Sequence, residues 1–344
     1  MVLSASFARA YYTSGNPTEV FMRQAIFAVS GIALMFIFSR FNVGIFRRWA
    51  MPLLFVSIFL LMLVPIIGDA GGGATRWIKI GKLTTFQPSE IAKLAEIMAF
   101  AHMICIYKDR IKTFRYGVAP FAIVVVAIVG LLYLEPHLSA SVIVVAIAAI
   151  MMFAGGTNLK WFAMAGVVVI IVAYLTVTQF SYASSRISAW LDPESDPLDS
   201  GYQILQSLYA VGSGGLFGLG LGQGRQKYMY LPEEYNDYIF SIVCEELGFI
   251  GAILILLLFA LLITRGFWLA MHARDRYGSL VITGITSLLA IQVFLNVGVV
   301  TNLIPSTGIS LPLFSSGGTA LWIQLIEMGI ILAISRDIPI KKAG

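Results

Sequence analysis

The sequence predicts an all-α polytopic integral membrane protein, and three properties of its 344 residues carry that prediction. Hydrophobic residues make up 58% of the chain and charged residues 12%, against about 25% charged in an ordinary soluble domain. Mean hydropathy is +0.86. Apolar stretches long enough to cross a hydrocarbon core about 30 Å thick recur along the whole length. No stretch is left over for a soluble domain, because the longest less apolar segment runs only from 179 to 238. One membrane domain over 1–344 is expected, with 179–238 as a large extracellular loop within it.

About nine spans follow in order along the chain. The first, near 24–40, runs into Arg40, Arg47 and Arg48, and the second, 51–68, opens into a glycine run at Gly71. The third, 89–107, carries Glu90, Lys93 and Glu96 and ends at Lys108 and Arg110. The fourth and fifth, 118–135 and 138–155, are separated by a very short turn, and Lys160 precedes the sixth, 161–178. After the long loop come 239–265, bounded by Arg265, Arg274 and Arg276, then 277–301, then 314–335, which leads into Arg336, Lys341 and Lys342.

Charge asymmetry orients these spans, since short cytoplasmic connections carry an excess of Lys and Arg. Fourteen basic residues lie in the short segments around 40–48, 108–115, 160, 265–276 and 336–342; eight are spread over the far longer opposite side. The first set is expected in the cytoplasm with the C-terminus, and the 179–238 loop outside. The net charge of +5 reflects this bias and gives no reason to invoke nucleic acid. Nine spans then leave the N-terminus outside. Met1–Arg23 has no preceding helix and no signal-peptide apolar region to export it, so either the segment is short enough to cross unaided or, the favoured reading, a further helix is expected upstream of Met1.

Cys105 and Cys244 fall near opposite membrane faces and cannot form a bridge. His102, His137 and His272 are scattered without metal-ligand spacing, so no metal site built from His and Cys is expected.

Three regions carry chemistry. In the first, Gly71-Gly-Gly-Ala-Thr-Arg-Trp-Ile-Lys79 leads as a flexible glycine run to Arg76 and Trp77, and Gln87-Pro-Ser-Glu-Ile-Ala-Lys93 follows. Pro88 suits the first position of a helix, and Glu90, Lys93 and Glu96 fall on one broad face of it. Either Glu90 and Lys93 form an ion pair that locks helices together, or the face lines a polar cavity in which Lys93 or Arg76 meets an anion. The second region holds Gln203 and the glycine-rich string from Gly212 to Lys227. Its backbone N–H groups beside Arg225 and Lys227 suit phosphate oxygens, or its glycines simply let a re-entrant loop approach the bundle. It lacks the βαβ context of a nucleotide fingerprint. Just beyond it, Tyr230-Leu-Pro-Glu-Glu-Tyr-Asn-Asp237 turns directly into a span that still carries Glu245 and Glu246. A carboxylate at the bilayer centre costs roughly 2.5–3.5 kcal/mol even on the mild insertion scale, which makes acids at this border candidates for function; Asp237 is the first choice. The third region, Asn302 to Gly318, breaks an apolar stretch with two prolines and three glycines and is expected to close a cavity.

These blocks resemble the SEDS family (shape, elongation, division and sporulation), the FtsW- and RodA-type lipid II polymerases of bacterial cell-wall synthesis. The resemblance spans about residues 1–336 and rests on Ser4-Ala-Ser6, GATRWIKIG, QPSEIAK, the run from Asp196 to Lys227, YLPEEYNDYIFSIVCEELGFIG and LIPSTGISLPLFSSGG. The GLGLGQGRQK form is more similar to the division and sporulation branch than to the elongation branch. The family pattern of ten helices with both ends cytoplasmic implies, again, a missing first helix. Two departures stand out: Glu135-Pro-His-Leu-Ser139 has His137 where the family carries an acid, and Ser316 stands in place of a tyrosine.

By this resemblance Asp237 matches the family's essential acid, and the implied reaction is peptidoglycan glycosyl transfer from lipid II at the outer face of the cytoplasmic membrane. Asp237 would be the general base on the acceptor 4-hydroxyl. Arg76, Lys93, Arg225 and Lys227 would meet the undecaprenyl pyrophosphate, which supplies both leaving group and energy. Trp77, Gln87, Glu90, Gln203 and Glu233 complete the substrate-binding set. No cofactor is required, and a divalent cation, Mg or Mn, is left open. Implied partners are a class B penicillin-binding protein transpeptidase and divisome or sporulation proteins. The alternative is a lipid II flippase using the same cavity, and a scaffold that only recruits a partner is a third class.

Overall fold

The computed structural model describes residues 1–71, 74–80, 84–135, 137–179, 181–199 and 201–338. Gly72, Gly73, Lys82, Pro136, Ser200, Lys341 and Lys342 of the segments named above lie outside them. The helices are α1 (Val2–Ser14), α2 (Glu19–Ser39), α3 (Val43–Ile67), α4 (Pro88–Tyr107), α5 (Phe114–Gly117), α6 (Ala119–Leu134), α7 (Leu138–Gly155), α8 (Leu159–Gln179), α9 (Ser181–Leu191), α10 (Tyr202–Ser213), α11 (Ile239–His272), α12 (Arg276–Val300) and α13 (Thr319–Ser335). Between α3 and α4 run three short strands, β1 (Asp69–Gly71), β2 (Ala74–Ile80) and β3 (Thr84–Phe86).

Each of the nine predicted stretches is helical. Among the described residues seven helical segments are long and apolar enough to cross a membrane: α2, α3, α5 with α6, α7, α8, α11 and α12. The other two predicted spans differ for opposite reasons. Helix α13 is apolar but has 17 residues. Helix α4 has 20 residues but carries Glu90, Lys93 and Glu96, and it is buried over most of its length. The protein's own side chains, rather than lipid, solvate it.

Two segments contain structure that the sequence reading took as loop. The connection at 69–86 is an antiparallel meander in the order β1-β2-β3, with Asp69 opposite Trp77 and Lys79 opposite Thr85. The β-branched and aromatic residues of Thr75-Arg-Trp-Ile-Lys-Ile80 suit a pleated strand, and that signal is masked by the neighbouring glycines. The 179–238 loop contains α9 and α10. In α10, Ile204, Leu205, Ser207 and Ala210 are buried, the one-sided spacing of a helix that covers apolar surface.

The chain divides into two compact units. One comprises 27–164, 262–290 and 318–344. Its core joins Leu54 and Leu61 of α3, Ala92, Ala95 and Ala99 of α4, Ile128 and Leu132 of α6, and Ala140 and Val144 of α7. The alanines fall on one stripe of α4 and let neighbouring backbones approach closely, the usual basis of helix association when lipid removes the hydrophobic drive. Phe100 and Phe121 meet edge-to-face at 4.8 Å in the same unit.

The second unit comprises 1–26, 165–261 and 291–317. Ser207 of α10 stitches three helices: its hydroxyl lies 2.9 Å from Ser241 Oγ of α11 and donates to the Val300 carbonyl of α12 at 2.9 Å. Helix α9 is tied to the segment after α12 by Trp190 Nε1 donating to the Asn302 carbonyl at 3.1 Å, with Asn302 Nδ2 returning to the Trp190 carbonyl at 3.3 Å.

Candidate active site

In the second unit, residues 233–238 form a turn immediately before α11. Glu233 has φ 55°, a left-handed conformation that costs a non-glycine residue on the order of 1–3 kcal/mol. Its carboxylate accepts from Asn236 Nδ2 at 2.6 Å, and its carbonyl accepts from the Asn236 and Tyr238 amides at 3.1 and 3.3 Å. The turn is therefore closed on itself before anything else touches it. Gln203 reaches it from α10, with Nε2 donating to the Pro232 carbonyl at 3.3 Å. Arg9 of α1 lies 3.5 Å from Glu234 and 3.8 Å from Glu233, and its guanidinium stands 5.5 Å from the Tyr235 ring centroid. Glu234 is buried, and burial raises its carboxyl above the ordinary range while Arg9 opposes the shift.

The outer side of the turn is gripped through its main chain. The Ser316 amide donates to the Tyr235 carbonyl at 2.9 Å, Ser315 Oγ to the Asn236 carbonyl at 2.6 Å, and Asn296 Nδ2 to the Asp237 carbonyl at 2.7 Å. The same Asn296 amide group also donates to the Ile309 carbonyl at 2.7 Å, so one buried side chain ties the turn to the 302–317 segment. Tyr238 OH donates to Ser306 Oγ at 3.3 Å; burial pushes this phenol up to about 12, so it stays protonated and keeps donating. Arg186 of α9 donates to the Ser306 carbonyl at 2.7 Å.

Asp237 itself is half-buried at the mouth of α11. Beside it is Gly308, with φ 67°; a Cβ built there would lie 3.3 Å from Asp237 Oδ2. Without a Cβ, the backbone at Gly308 can stand this close to the carboxylate. The third sequence region supplies Asn296's second acceptor and the hydroxyls that hold the acid's own turn.

Arg225 and Lys227 part company. The Arg225 side chain is exposed, while its amide donates to Glu245 Oε1 at 2.7 Å. Lys227 is 3% exposed and spends its ammonium on Glu246 at 2.8 Å and Ser4 Oγ at 3.1 Å. The expectation that Lys227 meets a phosphate does not fit this position: a buried ammonium with a carboxylate partner is already neutralised. The glycine string does not form a phosphate cradle either. Its Leu216, Phe217 and Leu221 turn outward, Phe217 to 79% exposure, as suits contact with lipid.

The other unit holds the remaining sequence candidates. Lys93 Nζ lies 2.8 Å from Glu90 Oε1, a nearly buried pair one turn apart on α4. Glu327 of α13 lies within electrostatic range of both. Arg76, carried by β2, is half-buried and within electrostatic range of Glu135 and of His137, which also faces Lys93. Trp77 and Gln87 are half-buried, Trp77 paired with Asp69 across the sheet and Gln87 at the N-cap of α4. Thr319 of α13 donates to the Thr85 carbonyl at 3.1 Å, which ties the sheet down beside α13. Of the two expectations for this face, the ion pair forms, and it sits in a wider polar cluster. Glu135 is 1% exposed with neither carboxylate oxygen hydrogen-bonded to protein. Among the described residues no group of three or more His, Cys, Asp or Glu is arranged to hold a metal ion.

Sequence reasoning missed Asn296, Ser306, Gly308 and Arg9. Asn296 alone had a readable signal, an amide in an otherwise apolar run.

Comparison with known proteins identifies the family. The family model described as cell cycle protein, for FtsW, RodA and SpoVE, matches residues 1–338. A probable peptidoglycan glycosyltransferase FtsW of Trichlorobacter lovleyi is 42% identical over 97% of this chain and 88% of its own length. Stage V sporulation protein E of Bacillus subtilis is also 42% identical, over 98% of this chain and 92% of its own. Among solved structures, a chain of a peptidoglycan synthase complex that coordinates polymerization and crosslinking superposes with TM-score 0.79 at 30% identity, covering 98% of this chain and 95% of that one. The rod shape determining protein RodA of Thermus thermophilus gives TM-score 0.69 at 28% identity, with 99% and 95% covered. The chain belongs to the FtsW, RodA and SpoVE family of cell cycle proteins.

Proposed function

We propose that Asp237 is the general base of a peptidoglycan glycosyltransferase that polymerises lipid II. The glycosyltransferase activity follows from family membership and from relatives named for it; those names favour a polymerase over a flippase. The observation that carries the assignment of Asp237 is the main-chain grip on its turn, together with the close approach of the Gly308 backbone to its carboxylate.

In the reaction, the acceptor sugar 4-hydroxyl attacks the anomeric carbon of the donor. The new glycosidic C–O bond forms as the bond from that carbon to the pyrophosphate oxygen breaks, and undecaprenyl pyrophosphate departs with the electron pair. Asp237 takes the hydroxyl proton and later returns it to water. One displacement inverts the anomeric carbon and needs no covalent intermediate. Arg76 is assigned to the charge that grows on the pyrophosphate, a contribution of the kind made by preorganised cations, and Lys93, already paired with Glu90, is assigned to the polar cluster beside it. The exposed Arg225 is a further contact for the anion. Gln203 and Glu233 act by shaping the Asp237 turn, and Trp77 and Gln87 by bordering the cation-bearing face.

The multi-pass membrane location is common to the family; the outward-facing active site and cytoplasmic C-terminus are part of this proposal and rest on the charge bias of the connections. A class B penicillin-binding protein transpeptidase is the proposed partner, supported by the structural relative solved in a synthase complex. Divisome or sporulation proteins are proposed as the wider setting. The test is glycan formation from purified lipid II. Asp237→Asn keeps the shape but cannot take a proton, and polymerisation should fall by about 10²–10⁴ while lipid II binding survives. Unchanged glycan synthesis would reduce Asp237 to a structural acid.

A further inference from the structure

Helix α11 is not continuous. At Gly248 the backbone leaves helical geometry (φ 67°, ψ −170°), which separates a short segment, 239–247, from the longer one that follows. A break of this kind strands carbonyls at the end of the first piece and amides at the start of the second, and water cannot satisfy such groups in contact with lipid. The glycine-rich segment after α10 supplies every partner named here from its own backbone. The Leu219 and Gly220 amides donate to the Glu245 and Glu246 carbonyls at 2.9 and 3.0 Å. The Phe249 and Ile250 amides donate to the Gly215 and Leu216 carbonyls at 2.9 and 3.1 Å.

Side chains repeat the attachment. Glu245 accepts from the Arg225 amide at 2.7 Å and the Gln226 amide at 3.3 Å. Glu246 takes Lys227 Nζ at 2.8 Å and Ser4 Oγ at 2.6 Å. The approach is so close that a Cβ at Gly218 would overlap the Glu246 carbonyl, and one at Gly248 would overlap the Gly218 amide. Glycine is required there by contact as well as by positive φ.

Asp237 stands at the far end of the short segment. Eleven residues of helix-like rise separate it from Gly248, about 16 Å at 1.5 Å per residue. A tilt of about 5° about Gly248 therefore moves that end by about 1.4 Å, and a misplacement of about 1 Å is enough to cost on the order of 10²-fold in rate. We infer that the segment 214–227 is a splint for the broken helix, and that Gly218, Lys227 and Glu246 are positioning residues that set where Asp237 stands. The inference rests on Asp237 being the base.

The test compares Lys227→Glu, Glu246→Lys and the double exchange in the full-length protein with its cognate transpeptidase. Each single exchange places two like charges in a buried site, so kcat for lipid II should fall at least tenfold with KM within about twofold, and the double exchange should recover most of the loss. In an Asp237→Asn background the same exchanges should add little, because they act through the acid; independent sites would instead add their effects. Gly218→Ala should behave like the single exchanges. Gly212→Ala, where a Cβ meets nothing within 4 Å, should leave turnover unchanged. Hydrogen exchange on the unaltered protein gives a second arm that needs no variant to fold: the Phe249 and Ile250 amides should be as protected as those within α11. If they exchange like a frayed helix end, or if Asp237→Asn abolishes turnover while the exchanges and Gly218→Ala leave kcat intact, the splint is wrong. If Asp237→Asn leaves turnover intact, the base assignment fails instead.

Discussion

Asn296 offers the sharpest check on how the acid is held. Its side chain is fully buried, and its two amide hydrogens go to two backbone carbonyls, Asp237 and Ile309, both at 2.7 Å. Asn296→Leu keeps the branched heavy-atom skeleton, adds bulk because two methyls replace the amide oxygen and nitrogen, and removes both donors. Stripping a buried carbonyl of its donor costs about 1–3 kcal/mol; the buried Ile309 carbonyl bears this cost, and the half-buried Asp237 carbonyl bears less. Leucine suits an apolar helix better than asparagine and offsets part of this, so a net loss near the lower end is expected. The cost falls on one place, the joint between the Asp237 turn and the 302–317 segment, so it should appear as displacement of the acid rather than as global unfolding. Glycan synthesis from lipid II, followed at saturating and limiting substrate, should show kcat reduced about 10- to 100-fold with KM little changed. Thermal unfolding in detergent should shift down modestly, and Asn296→Gln, which keeps the donors on a longer arm, should fall between. If Asn296→Leu polymerises lipid II at the normal rate, the amide bridge does not position Asp237 and the cradle is a packing feature only.

Two further outcomes test the space around the acid and its sidedness. Gly308→Ala forces a side chain into a left-handed backbone, at roughly 1–2 kcal/mol, and sets a methyl 3.3 Å from Asp237 Oδ2; turnover should fall while protein yield and lipid II binding are kept, and an unaffected rate would show that the space beside the carboxylate is not used. A cysteine introduced at the exposed Ser195 should react with an impermeant thiol reagent on intact cells, and one at the exposed Thr113 should not; reversed labelling would overturn the extracellular assignment of the Asp237 turn.

The helices were legible because periodicity and hydropathy are local. Glu90 and Lys93 are three residues apart, and their pairing could be anticipated from spacing alone. Asp237 was legible for a different reason: a carboxylate at the edge of an apolar helix is costly, and the cost flags it. What holds Asp237 was not legible. Asn296 is 59 positions away in sequence and Ser315 lies 79 from Asn236, and a main-chain acceptor leaves no mark on the residue that provides it. The meander at 69–86 was hidden because glycine-rich sequence reads as flexible whether or not its flanks pair. Lys227 was misjudged because a basic residue beside glycines looks the same whether its partner is a substrate phosphate or Glu246.

The turn before α11 is held by three consecutive carbonyls, those of Tyr235, Asn236 and Asp237. Every amino acid offers the same carbonyl. That part of the grip is therefore indifferent to which side chains the turn displays; side chains add to it through Glu233 and Asn236, which close the turn on itself, through Glu234 and Tyr235 toward Arg9, and through Tyr238 toward Ser306. Shape and chemistry are assigned to separate parts of the same six residues. Exchanging Tyr235 would remove its ring from Arg9 but leave the three carbonyl contacts in place, so the position of the acid is buffered against change at this residue.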